Sequence, residues 1–228
     1  MIGIVLLSNS KFKIMIKKLL FINIILFTLI FMHACKNDKQ QSKEAKETTK
    51  KEVKAEDNKG LSDDAIADYI QKGVKIAKAS GKTLKGKLIA AVDKGGLQNG
   101  INTCNKIAQK LMDSLSTKYN TKIKRTSLKI RNPKDQPSQD EIDVLVQFEK
   151  EVKAGKKVKP TAKKLDGGEV KVYIPIMIEK VCLNCHGKIG QELKASTYEV
   201  IKKYYPNDEA IDYSEGDLRG IWSITFKK

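Results

Sequence analysis

The pentapeptide Cys182-Leu183-Asn184-Cys185-His186 constrains this chain more than any other feature of its sequence. Two thiols that are two residues apart can each form a thioether with a vinyl group of one haem, and the next residue then lies under the iron as an axial ligand. The glycine that follows, Gly187, is interpreted as leaving room for the chain beside the macrocycle. The pentapeptide therefore predicts one covalently bound haem c, held by Cys182, Cys185 and His186.

Two other kinds of site use the same residue types. A Cys-x-x-Cys pair can be a thioredoxin-like redox centre, but that centre belongs to a βαβ context, which the predicted order of elements lacks. Cysteine and histidine can also bind zinc, and Cys104 would then be the fourth ligand. Export favours haem, because c-type haem is attached after translocation.

The evidence for export is an apolar segment that ends in a cysteine. Leu19 to Met32 is a run of 14 residues with Lys17 and Lys18 before it and His33-Ala34-Cys35 after it. This run is shorter than the roughly 20 apolar residues of a spanning helix and fits the core of a signal peptide. It resembles a bacterial lipoprotein signal, in which cleavage leaves Cys35 as the lipidated N-terminus. An uncleaved N-terminal anchor is the alternative.

The chain is thereby divided into three parts. Residues 1–34 are the expected signal peptide, with Met15 as the start, and residues 35–60 are the lipidated cysteine and a charged tether. The tether is almost wholly polar and is predicted to be disordered. Residues 61–228 are the expected folded domain.

The charge balance is strongly basic, with 44 Lys and Arg against 27 Asp and Glu and a formal net charge of +17. Such a charge is compatible with nucleic acid, an anionic membrane or an acidic protein partner. Export excludes nucleic acid. The expected location is the cell envelope, lipid-anchored and facing the periplasm or at the outer-membrane surface, with an unidentified redox or signalling protein as partner.

Hydrophobic periodicity predicts helices first and antiparallel strands later, which is an α+β domain. Gly95-Gly96 separates the first two helices, and Ser138-Gln139-Asp140-Glu141 predicts a capping box for the third. A final strand places Trp222, Ile224 and Phe226 on one face. The predicted elements are helices over residues 62–94, 97–116, 138–155 and 192–204, and strands over residues 123–130, 158–164, 169–178 and 220–226.

The second axial ligand is a constrained problem. The chain has two histidines, and cleavage would remove His33 and leave only His186. Cys104, Met112, Met177, a lysine or water remain as candidates. Cys104 lies on the predicted buried face of its helix and is the one cysteine without another assignment.

Four segments resemble a family of single-haem c-type domains with a PAS-like fold, a domain of unknown function. The segments are Asn102 to Asn105, Arg125 to Pro133, Val181 to Gly187 and Asp217 to Gly220. The resemblance implies a five-stranded antiparallel sheet with flanking helices, preceded here by N-terminal helices. It also implies an iron held by the motif histidine and a distant cysteine, which correspond to His186 and Cys104. The chain departs from the family pattern after Pro133.

Arg125 and Arg131 are candidate contacts for the haem propionates, because arginine suits bidentate binding of carboxylates. They are six residues apart and so share one face of the predicted strand.

Three roles are compatible with such a haem protein: a redox or small-ligand sensor, an electron-transfer cytochrome and a haem enzyme. A haem enzyme needs a distal acid or base, and the expected mature chain has no second histidine to supply it. The enzyme role is therefore disfavoured. A haem redox or sensor protein that is not an enzyme is therefore expected.

Overall fold

Residues 61–228 are described in the computed structural model of the protein. The predicted signal peptide, residues 1–34, and the predicted tether with Cys35, residues 35–60, lie outside the described residues and stay predictions. Within residues 61–228, no helix has both the length and the hydropathy that crossing a bilayer requires.

The first element is a long broken helix, α1 (Asp63–Tyr119). Ser62 caps it, since its Oγ accepts a hydrogen bond from Ala65 N at 3.2 Å, and two acidic residues in the first turn favour the positive end of the helix dipole. The helix is interrupted at Gly95-Gly96, where Gly96 has φ 67°, a left-handed value that favours glycine. The predicted break between two helical segments is confirmed.

The two segments of α1 come close together just beyond the break. A Cβ on Gly100 would lie 2.6 Å from Val92 Cγ2, so a larger residue would force the Val92 side chain to move. Asn99 Nδ2 also donates a hydrogen bond to Ala91 O at 2.8 Å. The two segments therefore lie against each other just beyond the break.

The sheet has four antiparallel strands in the described part of the chain, in the order β1-β4-β3-β2. The strands are β1 (Thr121–Thr126), β2 (Thr161–Lys164), β3 (Val170–Met177) and β4 (Leu218–Phe226). The α+β prediction is confirmed, with four strands where five were expected. The predicted first strand continued to Ile130 but ends at Thr126. Ser127 Oγ accepts a hydrogen bond from Lys129 N at 3.1 Å, a local bond that competes with strand pairing.

Helices cover both faces of the sheet. Trp222 and Ile224 pack with Ile76, Met112 and Leu115 of α1, and Phe226 lies against the same cluster, so the predicted common face is confirmed. On the opposite face, α2 (Gln139–Lys153) packs through two apolar side chains against β3 and β4. The core residues on that side are Leu145, Phe148, Tyr173 and Ile221.

Short elements complete the domain. A 3₁₀ turn, Pro133–Asp135, precedes α2, whose first turn is closed by Ser138 N donating to Glu141 Oε2 at 2.9 Å. A second 3₁₀ turn, Lys180–Cys182, runs directly into α3 (Leu183–His186). The last helix is α4 (Ala195–Tyr204), which begins three residues later than predicted.

Candidate functional site

A cavity of about 470 Å³ lies between α1, the ends of the central strands and the Cys182–His186 segment. This volume is in the range of roughly 300–1,000 Å³ that is usual for ligand and cofactor sites. All six side chains that the sequence analysis assigned to the folded site line this one cavity. They are Cys104, Arg125, Arg131, Cys182, Cys185 and His186.

The attachment segment is held as a compact turn at the cavity. The 3₁₀ turn ending at Cys182 continues into α3, so that both cysteines and the histidine face the same space. Gly187 is required by its packing within the protein, and its role beside a macrocycle stays a prediction. It does not line the cavity, and a Cβ there would lie 2.7 Å from Leu183 O and 2.9 Å from Glu192 Cβ.

His186 has one ring nitrogen engaged and one available. Its Nδ1 lies 2.7 Å from Ala210 O, and because a carbonyl only accepts, Nδ1 carries the proton. The lone pair is therefore on Nε2, the form in which a neutral imidazole binds a metal. Burial lowers the pKa of His186 well below its usual value, and the positive charges of Arg219 and Arg131 lower it further.

Cys104 lies on the second segment of α1 and is half-buried. Burial raises the pKa of the Cys104 thiol, and the charges of Arg125 and Arg131 partly oppose that shift. Burial likewise raises the pKa of Cys185. Met177 also lines the cavity, whereas Met112 is buried in the core between α1 and the sheet. Of the two methionines considered as axial ligands, Met177 is therefore the one that lies at the cavity.

The arginines are concentrated at this site. The chain has only three, and Arg125, Arg131 and Arg219 all line the cavity. Arg125 lies over the Trp222 ring at 5.7 Å, and its buried Nε has no hydrogen-bond partner among the described residues. Arg219 donates from Nη1 to Lys129 O at 3.1 Å, and burial lowers its pKa.

Arg219 was not assigned a role from the sequence, although it lies in one of the segments that carry the resemblance. The signal that could have found it is the scarcity of arginine: only three of the 44 Lys and Arg residues are arginine. Arginine binds carboxylates in a planar, bidentate way that lysine cannot reproduce. A basic chain that uses arginine so rarely indicates that each one has a specific partner.

Arg131 already has such partners within the protein. Its Nε donates to Asp208 Oδ1 at 3.0 Å, and its Nη2 donates to Asp208 Oδ2 at 2.9 Å and to Cys185 O at 2.7 Å. Arg131 therefore contacts the carboxylate of Asp208, and its expected contact with a propionate stays a prediction. Sequence periodicity could not show this pair, because its two residues are 77 positions apart.

The cavity lining suits an apolar group with an anionic edge. Its floor is apolar and comes from both segments of α1, through Leu84, Leu88, Ile89, Val92, Leu97, Ile101 and Ala108. The buried Nε of Arg125, which has no hydrogen-bond partner within residues 61–228, supplies a donor for an anion. Within residues 61–228 no group of three or more His, Cys, Asp or Glu side chains is arranged to hold a bare metal ion, so the zinc alternative lacks a formed cluster.

Comparisons with known proteins identify a family. The model of the Tll0287-like family matches residues 36–227. The crystal structure of the cyanobacterial haem protein Tll0287 has a TM-score of 0.50 at 20% identity, over 69% of this chain and 96% of that chain, and so shares its fold. No curated protein matches the chain in sequence. Because the family match spans most of the sequence, the chain belongs to the Tll0287-like family.

Proposed function

We propose that this protein is a monohaem c-type protein whose haem occupies the cavity beside α3. The observation that carries the proposal is the convergence of Cys182, Cys185, His186 and Cys104 on one apolar cavity that also contains all three arginines. When bound, haem supplies an iron atom with a one-electron redox couple. Tll0287, the relative with the shared fold, is a cyanobacterial haem protein, which supports the same cofactor here.

Each residue of the attachment segment has a separate role in the proposal. Cys182 and Cys185 attach the cofactor covalently through their Sγ atoms. His186 offers Nε2 as an axial ligand, since its Nδ1 is held by Ala210 O. Cys104 offers its Sγ as the second axial ligand, because it lines the same cavity from the α1 side.

The arginine face of the cavity receives the propionates. Arg125 is the first candidate, because its buried Nε has no other partner within the described residues. Arg219 is the second, because it lines the cavity and is held by Lys129 O and by the Tyr213 ring at 5.6 Å. A charged guanidinium and a carboxylate both lose water here, so their pairing offsets the cost of burial.

The role proposed for the haem protein is redox or small-ligand sensing. As a thiolate, Cys104 would bind the more positive, oxidised iron strongly and the reduced iron weakly. Reduction could therefore release Cys104 from the iron. Cys104 lies eight residues beyond Gly96, on the helix segment that follows the break. Gain or loss of a bond at its Sγ would therefore act directly on that segment of α1. The proposed role is not enzymatic, since His186 is the single histidine among the described residues that line the cavity.

Electron transfer is the second candidate, and the cavity rim favours it. Ile89 and Val181 line the cavity yet are 50% and 57% exposed. An apolar rim beside a redox cofactor suits brief docking of a partner protein. The two roles are separated by potentiometry with and without carbon monoxide. Sensing predicts ligand exchange on reduction and a potential that carbon monoxide raises, whereas electron transfer predicts fast reversible cycling with unchanged ligation.

The proposed setting is the cell envelope, with Cys35 as lipid anchor, residues 36–60 as tether and a redox or signalling protein as partner. Cys35→Ser should release the domain in soluble form or block its processing, and a variant that remains membrane-bound and normally processed would argue against lipidation.

The PAS-like character of the fold is also part of the proposal. A fifth strand would have to pair at an edge of the sheet, beside β1 or β2, since β3 and β4 already have two neighbours.

The cofactor proposal is tested with three single variants expressed alongside a c-type maturation system. Cys182→Ala and Cys185→Ala should each lose one thioether, which shifts the reduced α-band of the pyridine haemochrome to longer wavelength. His186→Ala should abolish the low-spin spectrum. Wild-type protein that takes up no haem under the same conditions would refute the proposal.

A further inference from the structure

Three consecutive carbonyls at the end of the attachment segment are held from one side. Because α3 has only four residues, its C-terminal carbonyls find no partners further along a helix. They are satisfied instead by Arg131 and by the segment Asp208–Tyr213. Cys185 O accepts from Arg131 Nη2 at 2.7 Å, His186 O from Tyr213 N at 3.0 Å, and Gly187 O from Asp212 N at 3.2 Å.

Arg131 is itself fixed in place by Asp208. The two side chains form a bidentate pair at 2.9 and 3.0 Å, and they are 15% and 0% exposed. Asp208 Oδ1 also accepts a hydrogen bond from Ala210 N at 3.0 Å, which fixes the backbone of the same segment. A buried, bidentate pair of this kind holds the guanidinium in one orientation.

The carbonyl that binds the histidine is shared with this arginine. Ala210 O accepts from His186 Nδ1 at 2.7 Å and from Arg131 Nη2 at 3.2 Å. Arg131 therefore contacts the chain on both sides of the histidine, at Cys185 O and at Ala210 O. A second donor on Ala210 O draws electron density from the carbonyl and weakens its hold on the Nδ1 proton.

We propose that Arg131 is a positioning residue for His186 that acts through the carbonyls of Cys185 and Ala210, with Asp208 as its anchor. The proposal rests on the proposed haem function. It gives Arg125 and Arg131 different tasks, since Arg125 Nε has no partner in the described part of the chain while Arg131 has its Nε and Nη2 engaged. Arg131 thereby fixes the angle of the imidazole ring and sets how strongly that ring donates to iron.

The test is Arg131→Lys in the full chain, which retains the charge but cannot reach Asp208 and both carbonyls together. Covalent haem per polypeptide should stay at the wild-type ratio. The midpoint potential should become more negative, because Ala210 O then binds the Nδ1 proton more strongly and the imidazole becomes a better donor. The low-spin ferric EPR signal should broaden, since the ring is no longer held at one angle. A wild-type potential together with a wild-type EPR signal would overturn the proposal.

Lys129→Met is the matched control. Lys129 Nζ donates to Ile211 O, so this variant removes one anchor of the same segment and leaves the carbonyls of Ala210 and Cys185 untouched. Its EPR signal should remain as sharp as that of the wild type. If Arg131→Lys does not accumulate, Asp208→Asn carries the test by the same EPR readout, and an unbroadened signal there contradicts the proposal.

Failure of the haem proposal would be distinguishable from failure of this one. If wild-type protein carries no covalent haem, the proposed function fails, and ring NMR of ¹⁵N-histidine-labelled, haem-free protein tests Arg131 alone. The chain has only two histidines, so the His186 ring is readily assigned. The Nδ1-protonated tautomer should dominate in the wild type, and its Nδ1 proton should shift downfield in Arg131→Lys, because Ala210 O then binds that proton more strongly. An unchanged Nδ1 proton shift in Arg131→Lys would overturn the positioning role.

Discussion

Gly220 of β4 lies close to the end of β1, and it also lines the cavity. A Cβ at this position would lie 2.3 Å from Thr126 O and 3.1 Å from Ser127 Cβ. The near contact is a backbone oxygen, which no side-chain rotation can move away. Relief of the clash requires β1 and β4 to separate by roughly 1 Å, given ordinary non-bonded contacts of about 3.5 Å.

Gly220→Ala should therefore fall at the upper end of overpacking costs, about 3 kcal/mol of lost stability. For a domain of this size, that corresponds to a fall in Tm of roughly 6–12 °C. Thermal unfolding followed by far-ultraviolet circular dichroism measures it. The visible spectrum should change as well, because Arg125 and Arg219 lie on the two strands that are forced apart.

Gly86→Ala is the matched control for the same chemical change. Gly86 is helical and exposed, and a Cβ there would meet nothing within 4 Å. Alanine should then stabilise the protein by about 0.5–1 kcal/mol, because it loses less backbone entropy in a helix than glycine does. If Gly220→Ala were as stable as the wild type or as Gly86→Ala, the close approach of β1 and β4 would be incorrect.

Three further substitutions test separate parts of the account. Cys104→Ala should retain covalent haem, shift the ferric spectrum towards high spin and raise the midpoint potential; an unchanged ferric spectrum would direct the same test to Met177. Arg125→Met should lower the midpoint potential, because a buried cation disfavours the oxidised iron, and an equal or higher potential by redox titration would contradict this. Burial alone would raise the pKa of Asp140, but hydrogen bonds from Lys171, Tyr173 and Ser138 outweigh it and lower the pKa. The ionised carboxylate thus stabilises the fold fully above its unfolded pKa of about 3.9 and progressively less as pH falls below it. Asp140→Asn should lower the free energy of unfolding by about 1.5–3 kcal/mol at pH 7, as measured by chemical denaturation. Below pH 4, the variant should lose less stability than the wild type does. Equal acid sensitivity in the two proteins would show that Asp140 is not the group responsible.

Local patterns in the sequence were sufficient for much of the fold. The pair Gly95-Gly96 located the break in α1, and the alternation of Trp222, Ile224 and Phe226 identified the core face of β4. Each of these depends on residues that are close in sequence, where periodicity and backbone preference act directly. The end of β1 was misplaced because the side chain of Ser127 satisfies a backbone donor locally.

The sequence predicted side chains that line the cavity, but it did not predict the contacts that hold them in place. The spacing of Cys182, Cys185 and His186 carries its own chemistry, so it was visible without the fold. Asp208 was not visible, since it meets Arg131 only after the chain has folded. The contact of the Ala210 carbonyl with His186 could not be predicted for a further reason. Every residue type carries a backbone carbonyl, so the residue at this position does not indicate the contact. Long-range polar contacts of this kind need the three-dimensional structure.

The central claim is covalent attachment of one haem through Cys182 and Cys185. The most direct measurement is the intact mass and pyridine haemochrome spectrum of protein that has been fully denatured and extracted with acidic acetone. The account predicts a mass increased by one haem and a c-type spectrum for the wild type, and neither for Cys182→Ala/Cys185→Ala. Haem that passes entirely into the acetone from wild-type protein would contradict the claim.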